Sequence, residues 1–475
     1  MSQTHDEDTI CAPATPVGGA LCIIRISGPR THNIIDTIAR GKQLCQIDDE
    51  NGQPLDQVIL TRYHAPHSYT GEDAAEISCH GSPYIVRKIL EQLCKQGCRI
   101  AQPGEFTQRA FLHGKMDLSA AEAVADLIAC DHAATHRMAI GQLKGSVRNA
   151  LATLREQLLQ LTSLLELELD FSDHEDLTFA DRNDLARLLE DTQAQVSRLI
   201  ESYTLGRALK EGITVAIIGP PNAGKSTLLN RLAGHERAIV TPYAGTTRDT
   251  IEENIDIHGV RFRLIDTAGL RTDTNDPIEQ LGIERTQQAI QQAHIVLSLT
   301  PATDELQPSS SSTPLPTPDE LPAEGSLQPS SSPTLLTADD SLYPSSTPIL
   351  HLRTKADLLP SSEHPSTTSS PSELLISAKT GEGIDTLIET IYQSAHLPEV
   401  EASQPIINNA RHLHALQQAD ESLRQARQAM NNNLPPELLS EHLRTAIHAL
   451  GTITGDTITP DITLANIFAH FCVGK

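Results

Sequence analysis

Residues Gly219-Pro220-Pro221-Asn222-Ala223-Gly224-Lys225-Ser226 satisfy the GxxxxGK[ST] pattern of a phosphate-binding loop, with Thr227 directly after it. The chemistry needs those types. Glycines let backbone N–H groups close around phosphate oxygens, the Lys225 ammonium bridges the β- and γ-phosphates, and the Ser226 hydroxyl reaches Mg²⁺. Downstream, Gly245-Thr246-Thr247-Arg248-Asp249 offers a threonine that completes a Mg²⁺ shell and senses the γ-phosphate, as switch segments do. Leu264-Ile265-Asp266-Thr267-Ala268-Gly269 ends a strand-like run in the DxxG pattern, with Asp266 expected on the Mg²⁺ side and the Gly269 N–H on the γ-phosphate. Thr354-Lys355-Ala356-Asp357 and Ser377-Ala378-Lys379 each follow an apolar run and match [NT]KxD and SA[KR]. The Asp357 carboxylate accepts from both N–H groups on one guanine edge, an edge adenine does not present. Thr354 stands where asparagine is usual, and its hydroxyl makes one hydrogen bond where an amide makes two. In this order the motifs predict a GTPase.

Leu270 follows Gly269, so no glutamine is placed there to orient water as in Ras-like enzymes. Glu279-Gln280-Leu281-Gly282-Ile283-Glu284-Arg285 carries carboxylates in an expected switch helix. They read either as a solvated helical face or as a group that positions water.

These residues need a frame. Ile213-Thr214-Val215-Ala216-Ile217-Ile218 is a continuous apolar run, as a strand buried on both faces of a parallel sheet requires. Strand-like and helix-like segments then alternate to about Tyr392, which predicts a doubly wound α/β domain. Upstream, short strands are expected at Ala20–Ile26 and Ala74–Ser78 and a helix at Tyr84–Cys94. From Leu118 apolar residues recur at helical spacing through Leu165, and again from Asp184 to Leu205. The same periodicity returns at Asn409–Ala429 and Pro436–Leu450. The expected fold is multidomain. It comprises an α/β N-terminal domain at 1–118, a helical domain in two pieces at 119–210 and 399–475, and an inserted Ras-like P-loop α/β G domain at 211–398. Periodicity alone does not show that the two helical pieces pack together.

The repeats Leu306-Gln307-Pro308-Ser309-Ser310 and Leu327-Gln328-Pro329-Ser330-Ser331 mark low-complexity insertions at 303–347 and 360–371. Their composition buries too little apolar surface to offset ordering entropy, so they are expected to be disordered, tolerated expansions in preference to a regulatory tail.

Of 475 residues, 61 are acidic and 36 basic, a net charge of −25 that repels polyanions over most of the surface. Any nucleic-acid contact must therefore be local or belong to a partner. The 8 cysteines include no CxxC pair, which fits neither a zinc ribbon nor a disulfide framework. Aromatics are 3% with no Trp, so Leu, Ile, Val and Ala must form the cores. No apolar stretch reaches the length of a membrane span, and Met1–Thr9 is polar and acidic. The expectation is a soluble, cytoplasmic protein with no membrane partner.

The chain resembles the MnmE (TrmE) tRNA modification GTPases, in the TrmE-Era-Der class. The resemblance rests on Asn222, Gly245–Asp249, Glu279-Gln280-Leu281-Gly282 and the terminal Phe471-Cys472-Val473-Gly474-Lys475. Leu21-Cys22-Ile23-Ile24-Arg25-Ile26-Ser27-Gly28, Tyr69-Thr70-Gly71-Glu72-Asp73 and Pro103-Gly104-Glu105-Phe106 carry it through the N-terminal part. It implies a homodimer built on a folate-binding-like N-terminal domain, with G domains meeting across it. It implies K⁺-dependent GTP hydrolysis, with K⁺ at Asn222, Thr241, Tyr243 and Thr246, Mg²⁺ at Ser226 and Thr247, and Glu279 as the water-activating carboxylate. The nucleotide-contacting loop would run Thr241-Pro242-Tyr243-Ala244-Gly245-Thr246-Thr247. It also implies a site for a tetrahydrofolate derivative (5-formyl or 5,10-methylene form) at Arg25, Glu76, Lys115 and Lys475, each of which would otherwise read as an ordinary surface charge. Cys472 stands open between modification chemistry and buried packing. The implied partner is an MnmG-type FAD protein, in a heterotetramer or larger complex. Together they would place an aminomethyl or carboxymethylaminomethyl group on C5 of a tRNA wobble uridine. The rival is a regulatory GTPase of the Era or Der kind that checks ribosome assembly. The N-terminal motifs and the terminal Cys-Val-Gly-Lys argue against it.

Overall fold

The computed structural model describes residues 8–41, 43–170, 182–235, 252–266, 291, 293–302, 347–359, 373–397, 401, 403–456, 464, 467, 468, 471 and 474. The chain divides into two compact units, one of Met1–Asp131, Thr135–Gly206 and Val400–Lys475, the other of His132–Ala134 and Arg207–Glu399. Among the described residues no helix is long and apolar enough to cross a membrane.

The first unit opens with strands β1 (Thr9–Pro13), β2 (Leu21–Ser27), β3 (Ala39–Arg40), β4 (Leu44–Asp48), β5 (Pro54–Tyr63), β6 (Ala74–His80) and β7 (Cys98–Ile100). They form a seven-stranded sheet in the order β3-β4-β5-β6-β2-β1-β7. Among the described residues, only its β1–β7 pair is parallel. Helices α1 (Thr31–Ile38) and α2 (Pro83–Lys95) contribute to its core. Strand alternation sorts the two faces. Cys22, Ile24 and Ile26 oppose Cys79, Ile77 and Ala75 and are buried with Ile34, Ile35, Val86, Ile89 and Leu93. Arg25 and Glu76, directly opposite each other in register, fall on the other face.

Three of the signature segments meet around α3 (Glu105–Leu112). Arg109, 2% exposed, donates through Nη1 to Glu72 at 3.1 Å and through Nη2 to Glu105 at 3.2 Å and to Asp8. Arg99 donates to Asp8 at 2.7 Å and to Glu105, while the Ser27 hydroxyl donates to Glu72 at 2.7 Å. A Cβ on Gly28 would lie 2.6 Å from the Asp8 carbonyl oxygen, so only glycine lets the start of β1 approach.

Four helices follow: α4 (Leu118–Ala129), α5 (Ala133–Leu143), α6 (Ser146–Asp170) and α7 (Arg182–Glu211). Sequence periodicity runs unbroken from Leu118 to Leu165, whereas the structure breaks it twice. Asp117 caps α4, its carboxylate accepting from the Ala120 N–H at 2.8 Å. Gly145, at φ +90°, closes the turn after α5.

The second unit contains β8 (Ile213–Ile218), α8 (Lys225–His235), β9 (Glu252–Ile257), β10 (Val260–Asp266), β11 (Ile295–Pro301), β12 (Ile349–Thr354), β13 (Glu373–Leu375) and α9 (Ile384–Ser394). Its six-stranded sheet has the order β13-β12-β11-β8-β10-β9. Among the described residues, all its pairs are parallel except β9–β10. That hairpin turns through His258 and Gly259, both at positive φ as a tight primed turn demands. Strand β8 lies between β11 and β10, so the loop after it leaves from the switch point of the sheet.

The chain then returns to the first unit as α10 (Ala410–Asn431) and α11 (Pro436–Thr454). Leu151, Leu154, Leu158, Leu189 and Val196 share one core with Leu416, Leu423, Leu443 and Leu450. The two helical segments, far apart in sequence, are therefore one packed body.

Glu122 of α4 seals this body against α10. Its carboxylate accepts from Arg411 Nε at 3.0 Å and Nη2 at 2.9 Å, and lies 2.6 Å from His412 Nε2. Nε2 donates to that carboxylate, so Arg411 Nη2, 3.0 Å from the ring, is a neighbour and not its donor. Burial raises the Glu122 carboxyl, but His412 and Arg411 outweigh it and hold the group at about 2, below its ordinary 4.5. A depressed carboxylate stabilises the fold above its unfolded pKa, and that stability is lost as pH falls through the folded value. The helical body should thus lose stability between about pH 5 and pH 2, in a window set by Glu122. Glu122→Gln should flatten the loss in acid denaturation followed by circular dichroism. An unchanged acid profile in the variant would assign the loss to other groups.

Candidate nucleotide site

The phosphate loop joins β8 to α8. Gly219, Asn222 and Gly224 all have positive φ, at +150°, +62° and +93°. A Cβ on Gly219 would lie 2.5 Å from the Leu299 carbonyl oxygen, so close approach to β11 requires glycine. At Gly224 an added Cβ would meet nothing within 4 Å, which leaves open space over the loop. Asparagine tolerates the left-handed conformation that position 222 adopts, and Asn222 is exposed. Lys225 is 8% exposed, and its ammonium donates to the carbonyls of Gly219 at 2.6 Å and Pro220 at 2.9 Å. The charge is thereby held across the loop that must receive phosphates. Ser226 and Thr227 follow in the first turn of α8, where backbone N–H groups and the helix dipole favour anions. Asp266 ends β10, hydrogen-bonded alongside β8 with Asp266 opposite Ile217.

The motifs expected to read the base join this loop through one hydroxyl. Thr354, at the end of β12 and 3% exposed, donates from Oγ1 to the Ala223 carbonyl at 2.6 Å. Its one proton is committed to the loop, so Thr354 ties the two motifs together, while its oxygen keeps lone pairs that can still accept. Lys355 takes a left-handed conformation, φ +63°, and the Ala356 N–H donates to the Ile376 carbonyl at 3.1 Å. The Ser377 hydroxyl donates to Asp357 Oδ1 at 2.7 Å, fixing the carboxylate expected to read guanine. The Thr380 N–H returns to the Ser377 oxygen at 3.2 Å, which orients the turn containing Ala378 and Lys379.

A second cluster lies on the N-terminal sheet. Arg25 donates to Glu76 Oε1 through Nε at 3.0 Å and Nη2 at 2.8 Å. Its guanidinium carbon lies 5.1 Å from the Tyr69 ring centroid and 5.8 Å from that of Phe106. Arg25 Nη1 also lies 3.4 Å from the carbonyl oxygen of Gly474, the residue before Lys475. With side chains 18% and 23% exposed, Arg25 and Glu76 are not surface charges. Tyr63 donates to Glu76 at 3.4 Å, and burial together with that carboxylate raises its phenol pKa. Lys115 donates to the Pro66 carbonyl at 2.9 Å, on the β5–β6 loop that also carries Tyr69. Sequence reasoning does not single out Tyr63, and it reaches Tyr69 only within a family motif. The alternation of β5 is the signal for Tyr63.

Thr241 through Thr247, Thr267, Ala268, Gly269, Glu279, Cys472 and Lys475 lie outside the described residues, as do 303–346 and 360–372.

The model described as the MnmE helical domain matches residues 118–472, and that described as the GTP-binding protein TrmE N-terminus matches residues 9–115. The chain is 44% identical over 486 residues to the tRNA modification GTPase MnmE of Parabacteroides distasonis, covering 98% of this chain and 100% of that protein. It is likewise 44% identical over 494 residues to that of Porphyromonas gingivalis, covering 100% of both. Among solved structures, Era bound to MgGDPNP and 16S ribosomal RNA nucleotides aligns at 25% identity and a TM-score of 0.25, over 44% of this chain and 66% of that one.

Proposed function

The chain belongs to the MnmE family of tRNA modification GTPases, and from that premise we propose that it hydrolyses GTP within a complex that installs an aminomethyl or carboxymethylaminomethyl group on C5 of a tRNA wobble uridine. The observation that carries the reading is the Thr354–Ala223 hydrogen bond, which joins a base-reading motif to a phosphate loop in one preassembled site. Ser377 presents Asp357 to a guanine edge, and Lys225 stands ready to exchange its loop carbonyls for phosphate oxygens.

The residues present fit the ions this reaction needs. Ser226 and Asp266 supply hard oxygen donors of the kind Mg²⁺ takes, from the start of α8 and the end of β10. Thr247 completes that set. Asn222, exposed in the loop, offers an amide oxygen to K⁺, with Thr241, Tyr243 and Thr246 as the remaining ligands. A bound K⁺ supplies positive charge where negative charge develops between the phosphates. GTP hydrolysis is therefore expected to be much faster in K⁺ than in Na⁺ of equal ionic strength, measured as phosphate release. Equal rates in both salts would remove K⁺ from the mechanism.

The Arg25–Glu76 pair, the Tyr63 and Tyr69 rings, Lys115 and Lys475 form the site for a tetrahydrofolate derivative. Its support is a charged, half-buried, aromatic-lined setting that can meet both donors and carboxylates. The chain acts as a homodimer with an MnmG-type FAD protein. Its net charge of −25 favours leaving most tRNA contact to that partner.

A further inference from the structure

The N-terminal part holds a side-chain cluster that none of these roles uses. His32, in the first turn of α1, His64, just after β5, and Asp73, just before β6, place one ligand atom each within 4.8 Å of one another. His32 Nε2 lies 3.5 Å and His64 Nδ1 4.0 Å from Asp73 Oδ1, and the two imidazole centroids are 4.4 Å apart. Both ring nitrogens of His32 are buried without a hydrogen-bond partner among the described residues. A desolvated imidazole with neither nitrogen satisfied is unfavourable unless something else meets it.

We propose that His32, His64 and Asp73 form a binding site for one divalent transition-metal ion of the zinc class. Two imidazoles and a carboxylate are ligands that Zn²⁺ takes. Metal–ligand bonds of about 2.0–2.2 Å in tetrahedral geometry set ligand atoms roughly 3.3–3.5 Å apart. The His32–Asp73 pair at 3.5 Å already has that spacing, and the exposed His64 side chain, 4.0 Å from Asp73, must swing inward by about half an ångström or more to close on the ion. A fourth position stays open to water.

The supporting contacts are those of a built site. Asp73 Oδ1 accepts from the Ala65 N–H at 3.0 Å, which orients the carboxylate as outer contacts orient metal ligands. The Asp73 carbonyl accepts from the Gly28 N–H at 3.0 Å and the Thr31 hydroxyl at 3.1 Å, binding its strand to the start of α1 beside His32. The His67 N–H donates to the His64 carbonyl at 2.7 Å, which shapes the turn that presents His64. The positive end of α1 opposes a cation there, and the Asp73 carboxylate offsets it. The same β5–β6 loop carries Pro66 and Tyr69, so the ion would fix the loop bordering Arg25.

The test uses the full chain, stripped with chelator and saturated with MgGDP so that the nucleotide site is filled. Titration with ZnCl₂ should show one equivalent whose affinity falls by on the order of 100-fold or more in His64→Ala and in Asp73→Asn, each of which removes one ligand. His64 has a side chain 76% exposed, so its variant should fold. The amide introduced by Asp73→Asn keeps an oxygen for the Ala65 N–H. CoCl₂ should give the strong visible bands of low-coordinate Co²⁺ in the wild type and not in either variant. Identical zinc isotherms in all three proteins, or no equivalent bound below millimolar concentration, would overturn the proposal.

Discussion

Glu279→Ala is expected to lower the turnover number for GTP by about 10²–10⁴-fold while nucleotide affinity stays nearly unchanged. Leu270 occupies the position where a glutamine would orient water, so that task passes to another group. Glu279 is the carboxylate that follows the DxxG segment Asp266–Gly269, in the segment shared with the family. A residue that positions water only in the transition state contributes to kcat and leaves ground-state binding alone. Lys225→Ala should behave differently, because its ammonium already faces the phosphate loop at 2.6 Å from Gly219 and acts on bound nucleotide before any chemistry. Single-turnover hydrolysis in K⁺ beside nucleotide titration separates the two. Wild-type turnover in the Glu279 variant would make it a solvated helical residue, with an effect on stability of no more than about 0.5 kcal/mol.

Arg109→Met should destabilise the N-terminal part by about 3–5 kcal/mol, a large share of the roughly 5–15 kcal/mol that a domain has in total. Methionine keeps most of the volume, so the loss isolates the charge. Arg109 is 2% exposed and stands among Asp8, Glu72 and Glu105, and its removal leaves those acids without their shared cation. Burial raises the Asp8 and Glu105 carboxyls, but their arginine partners hold both below the ordinary carboxylate range. Without Arg109 those two values should rise. Chemical denaturation followed by circular dichroism reads the first effect, and a change below about 0.5 kcal/mol would class Arg109 as an ordinary surface charge.

The sequence reveals the nucleotide motifs because their chemistry is local. Gly219 through Ser226 specify a loop whose shape depends on positive φ at three of its own residues. Helices are equally plain wherever apolar spacing runs for several turns, as in Leu151 to Leu165. Their pairing is not, since nothing in a periodic stretch says that Leu158 shares a core with Leu443. Strands β1, β3 and β7 are short, at five, two and three residues, and too brief to show alternation. Arg25 and Glu76 are readable only as surface charges without the family resemblance. Their pairing depends on the register of β2 against β6. The Arg109 cluster draws on residues 8, 72, 99 and 105, which only the fold brings together. The resemblance flags Glu72 and Glu105 by motif, and the structure supplies their physical reason.

The most direct test of the central claim is mass analysis of wobble uridines in tRNA from cells lacking this protein. The family assignment and the proposed guanine and phosphate site predict loss of the aminomethyl and carboxymethylaminomethyl groups at C5, restored by the wild-type chain and not by Glu279→Ala. Unchanged wobble-uridine modification in the deleted cells would contradict the account.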